Sequence, residues 1–182
     1  MINTINRIDT FIYDNITLFK NDYITSLMII ITNFASALFI IGITILLCVQ
    51  LKDRKYNIYI ILNLIMIFIV NRILKYLFAR PRPNVDRLVE ESGYSFPSAH
   101  TMIGTAFYGF LIYLIIKEIK NKKIKYTLSI ILGLLIFLIG ISRVYLGVHY
   151  ATDVIMGFVF AAIYLILYIK FICNKENFRK FR

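Results

Sequence analysis

The chain has 182 residues, 59% of them hydrophobic and only 17% charged, with a mean hydropathy of +0.74. So few polar residues cannot cover a water-exposed globule, so the sequence reads as one membrane-embedded domain over residues 1–182 and not as a soluble protein. The net charge of +11, from 21 Lys and Arg against 10 Asp and Glu, would suit a nucleic-acid partner in a soluble chain, but here the basic residues fall in short blocks between apolar runs, as membrane loops do, which argues against nucleic acid.

Residues 1–22 cannot span a bilayer, because Arg7, Asp9, Asp14 and Lys20 interrupt them. Ile5, Ile8, Ile12, Ile16 and Phe19 recur at helical intervals, which predicts an amphipathic helix lying on or tucked into the outer surface. No basic segment with a short apolar core precedes it, so no cleavable signal peptide is expected. Five uncharged stretches follow, at 23–51, 56–71, 101–116, 126–142 and 154–169. The first, of 29 residues, is long enough for one helix across about 30 Å of hydrocarbon. The other four hold 16 or 17 residues, or roughly 24–26 Å at 1.5 Å per residue, so each must carry a charge at or just below the membrane surface. Such charges are functional candidates.

Lys52, Arg54 and Lys55, then Lys117, Lys120, Lys122, Lys123 and Lys125, then Lys170, Lys175, Arg179, Lys180 and Arg182 account for 13 of the 21 basic residues. Alternation of five spans puts all of them on one side, the cytoplasm by the positive-inside rule, with the C-terminus. The opposite, extracytoplasmic face then receives Lys75, the 79–97 loop with Pro81, Pro83 and Pro97, the start of the third span at His100, the end of the fourth at Arg143, and the start of the fifth at His149 and Asp153. The loop acids Asp86, Glu90 and Glu91 could tune substrate entry but read more simply as solvated. Asn63, Asn71 and Gln50 are expected to hydrogen-bond between helices, and Gly133 and Gly140, seven apart, to allow close packing on one face. Cys48 and Cys173 lie in or beside apolar segments and suggest neither a disulfide nor a metal site.

The outer face therefore gathers the chain's two histidines with three cations, and a cluster of Lys75, Arg82 and Arg143 asks for an anion. Pro97-Ser98-Ala99-His100 opens the third span, where the first N–H groups of the helix lack internal partners and Ser98 offers a hydroxyl. His149 and Asp153, four apart, share one face of the fifth span, where a carboxylate on one ring nitrogen leaves the other nitrogen free to attack phosphorus. His100 suits the general acid and base. Singly, the cations could be interfacial anchors and the His149–Asp153 pair structural. Three cations beside one carboxylate argue against a divalent metal, and no cofactor is called for.

Taken together, these residues resemble the three-part signature of the type 2 phosphatidic acid phosphatase and vanadium haloperoxidase superfamily. The parts are Lys75, six intervening residues and Arg82-Pro83; Pro97-Ser98-Ala99-His100; and Ser142-Arg143, five residues, His149, three residues, Asp153. The resemblance covers a core of about 57–172 and departs from the family pattern at Ala99, where glycine is usual, and in showing five spans plus an amphipathic helix where members usually have six spans. It implies an all-α polytopic bundle and a metal-independent phosphatase with a phosphohistidine on His149, Asp153 orienting it, His100 as acid and base, and phosphate held by Lys75, Arg82, Ser98, the Ala99 amide and Arg143. The small size and the run from Glu90 to Phe96 look most like bacterial inner-membrane enzymes acting on phosphatidylglycerol phosphate or undecaprenyl diphosphate. Rival readings are vanadate-dependent halide oxidation at the same site, and an organic-anion transporter, which typically needs inverted repeats and a midplane site that the sequence lacks. The oligomeric state is not legible.

Overall fold

The computed structural model describes residues 2–51 and 53–173. Lys52 and the expected anchors Lys175, Arg179, Lys180 and Arg182 lie outside the described residues. Among the described residues all regular structure is helical: α1 (Ile2–Thr17), α2 (Asp22–Asn33), α3 (Ala37–Gln50), α4 (Arg54–Phe78), α5 (Ala99–Glu118), α6 (Lys122–Tyr145) and α7 (Ala151–Phe171). The helices α4 to α7, of 20 to 25 residues, are each long and apolar enough to cross a membrane.

The expected 29-residue first span is not one straight helix. It breaks at Phe34-Ala35-Ser36 into α2 and α3, bent by 49°. No charge, Gly or Pro marks the break, so hydropathy alone could not find it. It is stable because α5 satisfies it: Tyr108 Oη donates to the Phe34 carbonyl at 2.6 Å, Ser36 Oγ accepts from Phe39 N to cap α3, and Ala35 rests on Gly104, where even an added Cβ would come within 3.3 Å. Backbone groups freed inside a bilayer must find such partners.

Helix α5 is the central post, packed by α4, α6 and α7. The face that α4 turns inward repeats every third or fourth residue through Ile60, Asn63, Ile67, Asn71 and Lys75, all buried; its outward face, through Ile58, Ile61, Ile65, Ile69 and Ile73, is exposed for lipid. Asn63 Nδ2 donates to the Ala106 carbonyl at 3.0 Å, and Asn71 Nδ2 reaches Met102 Sδ at 3.4 Å and the Pro97 carbonyl at 3.5 Å, so these two asparagines do join helices. Among the described residues Gln50 makes no such contact. Of the two glycines in α6, Gly140 allows close approach, since a Cβ there would come within 2.9 Å of Val154 and closer still to Phe158. Gly133 faces open space, so the expected two-glycine packing face reduces to one position. Cys48 and Cys173 are unpaired, the latter buried.

Helix α1 lies across the ends of α6 and α7, on a stripe that keeps only part of the one its isoleucines suggest. Ile12, Tyr13 and Ile16 pack on Val144, Ala151 and Val154, while Ile5, Ile8 and Phe19 stay exposed. The helix is turned toward Asp9, which is buried on this inner stripe because it has polar partners there.

Candidate active site

One end of the bundle collects the chemistry, because four helices start or stop there with polar residues on their inner faces. The α4 stripe delivers Lys75 in its last turn. The loop from Ala79 to Ser98 folds back over the bundle end, α5 begins at Ala99, α6 ends two residues after Arg143, and α7 begins two residues after His149. The five-residue turn between α6 and α7 depends on Gly147, whose φ of +71° favours glycine and whose absent Cβ leaves room for the Asp86 carbonyl, 2.9 Å from where it would stand. That contact locks the 79–98 loop onto the turn carrying His149. The Arg143 carbonyl accepts from both Val148 N and His149 N at 3.3 Å, so the two residues are held together by backbone.

His149 is almost wholly buried. Its Nδ1 faces Asp153 Oδ2 at 3.4 Å, an ion-pair separation longer than a hydrogen bond, and its Nε2 faces Arg82 Nη1 at 3.2 Å. Burial, and then the positive charges of Arg143, Arg82 and Lys75, push the imidazole well below its ordinary value. The ring is therefore neutral near pH 7, with Nε2 turned toward the cations. Arg82 is fastened by its own donors: Nη1 to the Val148 carbonyl at 2.9 Å, Nη2 to Ser92 O at 2.8 Å and Nε to Gly93 O at 3.1 Å. Burial lowers its guanidinium below the usual arginine value. Lys75 Nζ donates to Tyr94 O at 2.5 Å and Ser95 O at 3.4 Å, so it braces the loop as well as facing the site. Ser98 Oγ accepts from Thr101 Oγ1 at 3.0 Å, and Ser98 N donates to the Asp153 carbonyl at 3.2 Å, tying the start of α5 to the start of α7.

Four residues outside the sequence expectation complete the site. Glu91, read from sequence as solvated, instead turns inward. It pairs with Arg143 Nη2, lies 3.5 Å from Arg82 Nη2 and 3.8 Å from His100 Nδ1. Burial alone would raise its carboxyl, but Arg143, His100 and Arg82 outweigh this and hold it below the ordinary carboxylate value. A buried guanidinium needs an anionic partner, and the loop supplies it. Thr32 on α2 accepts from Arg143 Nη1 at 2.7 Å, aiming the fork from behind. Arg80, two residues before Arg82, bonds Asp153 Oδ1 at 2.6 Å and Asp9 Oδ2 at 2.8 Å. The alternation of Arg80 and Arg82 in an extended loop was the only sequence signal for these four; Thr32, Asp9 and Glu91 were ordinary members of their segments.

Two hollows are lined by His100 and by Glu91 respectively, two side chains 3.8 Å apart. A cleft of about 460 Å³ between α3, α4 and α5 is lined by Ala35, Ala37, Ile40, Leu64, Ile65 and Phe68 and ends at Ala99 and His100. A polar hollow of about 520 Å³ is lined by Arg87, Val89, Glu90, Glu91 and Ser92. One is suited to hydrocarbon and the other to water and a charged headgroup.

The family model described as PAP2 superfamily matches residues 56–176. Phosphatidylglycerophosphatase B of Bacillus subtilis (strain 168) is 45% identical over 94 residues, 50% of this chain and 45% of that protein, so this alignment spans less than half of the relative's length. Undecaprenyl-diphosphatase BcrC of the same organism is 31% identical over 157 residues, 83% of this chain and 76% of that protein. The crystal structure of a transmembrane PAP2-type phosphatidylglycerolphosphate phosphatase from Bacillus subtilis superposes with a TM-score of 0.85 at 30% identity, covering 93% of this chain and 86% of that one. With its multi-pass helical bundle and the family model matched across α4 to α7, the chain belongs to the PAP2 superfamily.

Proposed function

We propose that the protein is a lipid phosphate phosphatase that hydrolyses a phosphate or diphosphate headgroup through a phosphohistidine, with its active site on the extracytoplasmic face of a bacterial inner membrane. One observation carries this reading: an anion cradle of Lys75, Arg82 and Arg143 around a buried neutral His149 lies beside an apolar cleft that ends at His100. A soluble phosphate ester would need no such cleft. A lipid could keep its chain in the cleft and present its phosphate to the cradle.

His149 Nε2 attacks phosphorus while Lys75, Arg82, Arg143, the Ser98 hydroxyl and the Ala99 amide hold the phosphoryl oxygens. As the P–N bond forms and the P–O bond to the lipid breaks, His100 gives its proton to the leaving oxygen. Neutral His100 then takes a proton from water, whose oxygen attacks phosphorus, breaks the P–N bond and releases inorganic phosphate. Asp153 faces Nδ1 throughout and offsets the charge that the ring carries in the intermediate. During phosphate binding Glu91 must give up Arg143, because the carboxylate and the phosphate compete for one fork. Names of the related proteins support phosphatidylglycerol phosphate or undecaprenyl diphosphate as substrates.

The test is phosphate release by the purified protein in liposomes, with EDTA present, from phosphatidylglycerol phosphate, undecaprenyl diphosphate and phosphatidic acid. Turnover of at least one is expected, abolished by His149→Ala and severely reduced by Arg143→Ala, which removes a charge-assisted contact of about 1.5–3 kcal/mol. Full activity in His149→Ala, or complete loss of wild-type activity with EDTA, contradicts the mechanism.

A further inference from the structure

Asp9 is a carboxylate buried on the inner stripe of an amphipathic helix, a position where an unpaired charge would be costly. It is fully partnered. Its Oδ1 accepts from Thr152 N at 2.8 Å, and its Oδ2 accepts from Thr152 Oγ1 at 2.9 Å and from Arg80 Nη2 at 2.8 Å. The other arm of Arg80 donates to Thr152 Oγ1 at 2.8 Å and to Asp153 Oδ1 at 2.6 Å, and its guanidinium lies over the Tyr150 ring, 3.9 Å from the centroid. Tyr150 N holds the second oxygen, Asp153 Oδ2, at 3.0 Å, and that oxygen is the one facing His149 Nδ1.

We propose that Asp9 and Arg80 are positioning residues for the nucleophile: the chain Asp9, Arg80, Asp153, His149 makes the N-terminal helix α1 part of the device that orients the imidazole. Docking of α1 alone would need only the Thr152 contacts and the apolar stripe. The Arg80 bridge does more, because it clamps one Asp153 oxygen and so fixes where the other points. Charge gives Asp9 its part. Arg80 alone would neutralise Asp153 and draw it away from the ring; a second carboxylate on the far arm shares the guanidinium and leaves the three-membered group with one net negative charge beside His149. That charge is of most use when the ring becomes cationic. Neither Asp9 nor Arg80 bonds to Lys75, Arg82 or Arg143, so phosphate binding itself should not depend on them.

This proposal rests on the phosphatase reading, and the experiment separates the two. Full-length protein in liposomes is assayed with whichever of phosphatidylglycerol phosphate, undecaprenyl diphosphate or phosphatidic acid the wild type hydrolyses fastest. Asp9→Asn, Arg80→Gln and Thr152→Val are compared, each also combined with Asp153→Asn. Asp9→Asn is expected to lower kcat about tenfold with KM within about twofold, the scale of one charge-assisted hydrogen bond. In the Asp153→Asn background that loss should vanish, since Asp9 acts only through Asp153. The double variant Asp9→Asn with Arg80→Gln, which restores charge balance, should recover part of what either single variant loses. Thr152→Val, nearly isosteric, gives the same direction of change and serves if Asp9→Asn does not fold. A rise in KM at unchanged kcat, or an equal loss in the Asp153→Asn background, overturns the positioning role. Wild-type protein inactive on all three lipids overturns the phosphatase reading and this one with it, whereas active wild type with unchanged kcat in Asp9→Asn and Thr152→Val overturns this one alone.

Discussion

At the scale of single residues, burial next to Arg143, Arg82 and Lys75 pushes His149 well below its ordinary value. In the proposed mechanism the neutral ring is the nucleophile, so a lowered pKa keeps it reactive further into acid. The acidic limb of kcat/KM, which reports free enzyme, should therefore fall at a pH clearly below about 6.5, the ordinary histidine value; a limb centred at or above that value contradicts the burial argument. Glu91 gives a second pH-dependent outcome. Its folded-state pKa is lowered, so its ionised form stabilises the protein above the ordinary carboxylate value, and that contribution is lost as pH falls through the lowered one. At pH 7 Glu91→Gln should cost about 2 kcal/mol, since Arg143 loses its anionic partner. Thermal unfolding in detergent should show the gap between wild type and variant closing as the buffer is taken into acid. The pairing of Glu91 with Arg143 was invisible in sequence, because a glutamate in a polar loop looks the same whether it faces water or turns under the loop to meet a buried guanidinium.

At the scale of elements, α4 shows how far pattern carries. Its inner stripe from Ile60 to Lys75 follows from helical spacing, and with it the delivery of a lysine to the bundle end. The bend between α2 and α3 could not be read the same way, because it depends on Tyr108 and Gly104, some seventy residues away in sequence and adjacent only in the fold. Nor could the rotation of α1 toward Asp9, since a carboxylate prefers the buried side of a helix only where partners await it. In the proposed reading the bend matters to function, because Ala35 and Ala37 line the apolar cleft. Ile65→Trp, on the exposed wall of that cleft, should raise KM several-fold for a long-chain lipid phosphate and leave turnover of a short-chain soluble analogue unchanged. An equal effect on both would mean that the cleft does not hold the chain. In the turn between α6 and α7, Gly147→Ala puts a Cβ at a φ of +71° against the Asp86 carbonyl. A loss of about 1–3 kcal/mol is expected, read as a lower thermal midpoint with impaired turnover, because this turn carries His149.

At the scale of the whole molecule, the charge that first raised the question of nucleic acid divides between two ends of one bundle. Lys75, Arg80, Arg82 and Arg143 stand at the end that holds both histidines, while Arg54, Lys55, Lys117, Lys122 and Lys125 stand at the other. That separation was legible from the spacing of charges along the apolar runs, as were the helical class and the motif residues; which loops cross the bundle end, and which acids neutralise which arginines, are tertiary matters. In the proposed orientation, which rests on the positive-inside rule, the second end faces the cytoplasm. With Cys48 and Cys173 replaced by Ser, a membrane-impermeant thiol reagent applied to intact cells should label Glu90→Cys and leave Lys123→Cys unlabelled; the reverse pattern would invert the orientation. The central claim, that a phosphoryl group passes through His149, is tested most directly by trapping it. Wild-type protein mixed with substrate labelled in the transferred phosphate and quenched in alkali within milliseconds should carry label that is base-stable and acid-labile and maps to His149, and His149→Ala should carry none. Label retained in His149→Ala, or turnover by wild type with no labelled protein at any quench time, would contradict the account.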